Sequence, residues 1–82
     1  MDDDRAKIRR WLLAMFLPGE PDAALRDDVS LRDQGVLDSM RRIKLVAFLE
    51  DRFGISVERE DLRGDAFETV DSLVAFVARK RG

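Results

Sequence analysis

The 82-residue chain has no cysteine and no histidine. That excludes disulfides, thiolate nucleophiles, cysteine–histidine zinc sites and the usual general base near neutral pH, so catalysis starts from a poor inventory. It says nothing about redox compartment. The five glycines are scattered, which leaves no glycine-rich phosphate loop. No apolar run approaches the roughly 20 residues that span a bilayer, and Met1-Asp2-Asp3-Asp4 is acidic where a secretory signal is basic. A cytoplasmic protein with no membrane partner is expected. Basic excess is missing too: 15 lysines and arginines stand against 17 aspartates and glutamates, for a net charge of -2. Nucleic-acid binding domains normally carry the opposite balance. There are no internal repeats and no low-complexity stretch.

What is present suits one small helical domain over 1–82, because apolar residues at 45% fill a single core and no more. Ile8, Trp11, Leu12 and Met15 recur at i, i+3, i+4 and i+7 and predict a helix over about 3–16 with these four on its inner face. Pro18-Gly19 ends it. Residues 17–38 show no sustained period, only isolated apolar positions at Leu25, Val29, Leu31 and Leu37. They read as a long connection pinned to the core, a length that in so small a domain points to function.

A second helix is predicted over 39–53, stopped by Gly54. Leu45, Val46, Leu49 and Phe53 share its core side, while Met40, Ile43 and Ala47 lie nearly opposite as an outward apolar stripe. Ile55-Ser56-Val57 alternates like a strand but has no partner strand, so it is an extended link. A short helix over about 58–63 and a turn at Asp65-Ala66-Phe67, driving Phe67 inward, come next. The last helix spans 69–80, with Thr69 as N-cap, Val70, Leu73, Val74 and Val77 facing the core, and Arg79, Lys80 and Arg81 at the end where the dipole favours cations. The fold class is all-α: a small four-helix bundle of three long helices and one short, with a long loop between the first two.

At the head of the second helix stands Gly35-Val36-Leu37-Asp38-Ser39-Met40, followed by Leu45-Val46-Ala47-Phe48-Leu49-Glu50-Asp51-Arg52-Phe53-Gly54-Ile55. Together with the order of helices, these stretches resemble the acyl carrier protein family, whose attachment motif is Gly-x-x-Asp-Ser-Leu/Met, over nearly the whole chain. The likeness is greatest to freestanding carriers of polyketide or nonribosomal peptide pathways in secondary metabolism and to discrete aminoacyl carriers. It implies a monomer that is not an enzyme. Ser39 would take 4'-phosphopantetheine from coenzyme A through a phosphopantetheinyl transferase and magnesium, with Asp38 helping to engage that transferase. Cargo would ride as a thioester, loaded by a ligase or acyltransferase and passed to downstream synthases or transferases. A phosphodiester on Ser39 would also meet the positive end of the helix dipole. The plainer alternative makes Ser39 only a helix N-cap and the chain an unmodified adaptor that docks a partner through helix two.

One departure from the family concerns charge. Carriers of fatty-acid synthesis usually place acidic residues early in helix two, whereas this chain has Arg41, Arg42 and Lys44, each costing about 0.3–1 kcal/mol at the positive end of the dipole. Either Asp38, Glu50, Asp51 or a phosphodiester neutralises a solvated patch, or Met40, Arg41, Arg42, Ile43, Lys44 and Ala47 form a basic-rimmed docking face for a different partner set. Three other features carry little. Arg63-Gly64-Asp65 is a chance tripeptide, Asp2-Asp3-Asp4 lacks the ligand spacing of a calcium loop, and Ser39 is in no Gly-x-Ser-x-Gly elbow.

Overall fold

Capping residues decide where the helices of this computed structural model begin. The structure describes residues 2–82, so Met1 of the acidic terminus lies outside the described residues. Helix α1 spans Asp2–Phe16, and the Leu17 N–H still donates to Leu13 O at 3.0 Å before Pro18 stops the ladder. Asp38 is extended (φ −135°, ψ −173°) and its side chain accepts the Arg41 N–H, which opens α2 at Ser39; α2 runs to Phe53 and ends on Gly54 in the left-handed region (φ 66°). Glu58 and Asp61 form a reciprocal capping box at the head of the short α3, Arg59–Arg63. Thr69 and Ser72 form a second box, each backbone N–H donating to the other's hydroxyl at 2.9 Å, and start α4, Val70–Arg81. Three long helices and one short make the all-α bundle that the sequence predicts. No described helix is long and apolar enough to cross a membrane.

Helix α4 packs against both α1 and α2. Ile8 and Leu12 from α1, Leu45 and Leu49 from α2, and Val70, Leu73, Phe76 and Val77 from α4 are completely covered. Phe76 departs from expectation. It lies off the stripe Val70-Leu73-Val77, yet a helix with two neighbours buries a wider arc than one stripe. Met15 departs the other way: it sits on the inner side of the wheel but is 46% exposed, because the last turn of α1 has Phe16, not Met15, turned to its neighbours. Between α1 and α2 runs an aromatic seam, with Trp11 stacked on Phe48 at 4.5 Å and meeting Phe16 edge-on at 5.3 Å.

The connection from Leu17 to Asp38 is ordered by its own bonds. It contains a 3-10 turn at Asp22–Ala24 and buries Leu25, Leu31, Leu37 and also Val36, which the sequence reading passed over. Val29 is only half-buried. The Gln34 side chain accepts from Arg26 N–H and donates to the carbonyls of Arg26 and Val29, closing the loop on itself. Asp27 ties it down: Arg5 donates to Asp27 (2.8 Å) and to Asp71 of α4 (2.6 Å), and Arg9 bridges Asp27, Asp22 and the Leu25 carbonyl. Those partners hold the Arg5 guanidinium's pKa above its ordinary value, the Asp71 bond contributing most; for Arg9, burial opposes the rise and the Asp22 and Asp27 bonds outweigh it. The link 54–58 forms no regular element, with Ile55 buried, and Phe67 turns inward as predicted. At the acidic terminus Arg81 donates to both carboxylate oxygens of Asp4 at 2.8 Å.

Candidate functional site

The site is assembled where the long loop becomes α2. Gly35 takes a left-handed conformation (φ 74°), a turn that a side chain would strain. Val36 and Leu37 then dip into the core, and both of their N–H groups donate to Leu31 O, at 2.9 and 3.2 Å. Asp38 and Ser39 emerge from that anchor exposed. The apolar pair thus fixes the register of the two polar residues that follow.

Sequence reasoning offered Ser39 as the N-cap in its plainer reading, and the structure corrects this. Asp38 is the cap, its Oδ1 accepting the Arg41 N–H at 2.8 Å, while Ser39 is the first residue inside the helix. The Ser39 hydroxyl therefore has no capping duty to give up. Among the described residues the amides of Ser39 and Met40 have no acceptor, as expected for the first turn of a helix. Beside them opens a cleft of about 430 Å³. It is lined by the apolar Leu37, Leu62 and Phe67, by Arg32 and Arg42, and by the carboxylates of Asp33, Asp38 and Glu68. The arrangement suits a phosphodiester on Ser39: an accessible hydroxyl, two uncommitted amides at a positive helix end, and two guanidinium groups lining the same cleft. Phosphopantetheine attached there would supply a terminal thiol, a group the chain lacks.

The residues expected to dock a partner do not act alike. Met40 and Ile43 are 70% and 66% exposed, and Lys44 and Ala47 also face outward, so these four share the open side of α2. Arg42 is half-buried at the cleft. Arg41 turns back: its guanidinium donates to Gly35 O (3.0 Å) and Val36 O (3.4 Å) and lies 5.2 Å from the centre of the Phe16 ring. The dipole cost expected for Arg41 is offset by those carbonyls, and Asp38 supplies the capping carboxylate at that helix end. The sequence reading missed Arg32, Leu62 and Phe67 as cleft residues, since they come from three separate segments with no shared spacing.

Comparison with known proteins agrees with this geometry. The family model for the phosphopantetheine attachment site matches residues 17–77, a span that contains Ser39 and most of the core. Similar proteins include D-alanyl carrier protein 1 of Lactiplantibacillus plantarum, 35% identical over 77 residues, covering 94% of this chain and 92% of the relative. D-alanyl carrier protein 2 of the same organism is 36% identical over 95% of this chain and 94% of its own. The D-alanyl carrier protein of Streptococcus sanguinis is 32% identical over 96% of each. With an attachment motif at the exposed head of α2 and a family match that spans it, the chain belongs to the phosphopantetheine-attachment carrier proteins, a carrier domain and not an enzyme.

Proposed function

We propose that this chain is an aminoacyl carrier, with Ser39 bearing 4'-phosphopantetheine donated by coenzyme A and D-alanine as the first cargo to test. The exposed Ser39, at the head of α2 beside two amides without acceptors, is the observation that supports attachment. Support for the cargo comes from the relatives, which carry D-alanyl in their names and align with nearly the whole chain. Of the two branches of the sequence resemblance, these relatives favour the aminoacyl carriers over the polyketide ones. Asp38 does double duty in this reading: it caps α2 and presents a carboxylate to the transferase. Met40, Ile43, Ala47 and Lys44, with Arg42 at the edge, form the face met by the transferase, the loading ligase and the downstream acceptor enzyme.

The cargo is tested with phosphopantetheinylated protein, ATP and an adenylating ligase for D-alanine, against L-alanine and malonyl-coenzyme A with a malonyl transferase. A D-alanyl adduct, released by hydroxylamine and missing from Ser39→Ala, is expected. Loading of malonate with no loading of D-alanine would return the chain to the polyketide branch.

A further inference from the structure

Of the three cations at the head of α2, one is spent on the loop that presents Ser39. We infer that Arg41 is a positioning residue for modification of Ser39, holding the segment 35–38 in the geometry that the transferase needs, rather than part of the docking face. The inference rests on the carrier reading above and adds a role to a residue to which that reading gives none.

Its geometry is that of a three-way clamp. The Arg41 backbone N–H is held by Asp38, while its side chain reaches six and five residues back to the carbonyls of Gly35 and Val36. The same guanidinium rests on Phe16, the last residue of α1. One side chain thus joins the end of α1, the turn at Gly35 and the start of α2. Phe16 is backed in turn by Trp11, and Trp11 by Phe48 of α2, so the clamp bears on a packed aromatic seam and not on a mobile surface.

Only a planar guanidinium does this work. It points one nitrogen, Nη1, at both carbonyls while its central carbon lies 5.2 Å from the centre of the Phe16 ring, whereas a lysine ammonium is a single point charge that cannot sit at both places. A neighbouring cation cannot substitute, because Lys44 faces outward and Arg42 faces the cleft. Reaction at Ser39 depends on how its hydroxyl is aimed, and loosening the turn four residues ahead would degrade that aim without altering the hydroxyl itself.

The experiment compares transferase kinetics of the full chain with Arg41→Ala, Arg41→Lys and, as a charge-loss control on the exposed side of α1, Lys7→Ala. Coenzyme A and magnesium are saturating, and helix content is checked at the assay temperature. Positioning predicts that kcat falls about tenfold in both Arg41 variants, the scale of one or two lost charge-assisted bonds, with KM for the carrier changed less than twofold. Faster hydrogen exchange at the Val36 and Leu37 amides should accompany it. Wild-type kinetics in Arg41→Lys, or a loss confined to KM, would mean that Arg41 acts through its charge in docking and would overturn the inference. So would an unchanged rate in Arg41→Ala. Should Arg41→Ala not fold, Arg41→Lys decides. Failure of the unsubstituted chain to gain phosphopantetheine at all would be a failure of the carrier reading, a separate result seen before any variant is compared.

Discussion

Replacing Asp38 by alanine separates the two residues of the attachment motif. In the structure its Oδ1 takes the Arg41 N–H at 2.8 Å, the bond that caps α2. Loss of such a cap typically costs about 1 kcal/mol. The carboxylate also lies at the positive helix end, close to Arg41 and Arg42, and its removal adds about 0.3–1 kcal/mol. Asp38→Ala should thus lose about 1–2 kcal/mol in all. For a domain of this size that lowers the melting temperature by about 5–15 °C. Asp38→Asn, which caps nearly as well, should lose only the smaller electrostatic part. Ser39→Ala, changing an exposed first-turn residue with no capping bond, should stay within about 0.5 kcal/mol of the parent. Urea unfolding followed by circular dichroism, with slopes compared across the set, measures all three. The reasoning is refuted if Asp38→Ala unfolds like the parent while Ser39→Ala loses about 1 kcal/mol.

Two further outcomes follow from the charges. Asp27→Ala removes the anion shared by Arg5 and Arg9 and should cost about 2 kcal/mol in urea unfolding, since both bonds are charge-assisted and partly buried; a loss below about 0.5 kcal/mol would show that Asp22 and Asp71 hold the loop without it. Acid stability should depend on Asp61, whose pKa lies below the ordinary 3.8 because of its bond with Lys80 and the backbone of Glu58. A depressed carboxylate contributes stability that is full above about pH 5 and disappears as pH falls through its folded value. Urea midpoints between pH 7 and pH 2 should therefore drop less steeply on the acid side for Asp61→Asn than for the parent, and parallel curves would rule the pair out as a contributor.

The sequence made some parts of the molecule legible and hid others for identifiable reasons. The bounds of α2 were readable because Asp38-Ser39 and Gly54 are local signals, and those of α4 because Thr69 precedes a regular stripe. Periodicity gives a direction around the helix axis but not how far the neighbouring element extends, so it placed Met15 inside and overlooked Phe76. Choosing between Asp38 and Ser39 as cap was not possible from residue preference, since both types cap well; it took the bond to Arg41. The attachment serine was legible as a motif, and its outward stripe of Met40, Ile43 and Ala47 was legible as a pattern. The inward turn of Arg41 was not. That depends on where the loop carbonyls of Gly35 and Val36 come to rest, a product of Leu31, Val36 and Leu37 packing that leaves no local mark in the chain.

The central claim is that Ser39 carries the arm, and intact-protein mass tests it most directly. The chain and its Ser39→Ala variant are incubated with coenzyme A, magnesium and a promiscuous phosphopantetheinyl transferase, and free thiol is titrated in parallel. One phosphopantetheine and one thiol gained by the parent, with neither gained by the variant, is the predicted result. An unchanged parent mass with several transferases, or addition that persists in Ser39→Ala, would contradict it.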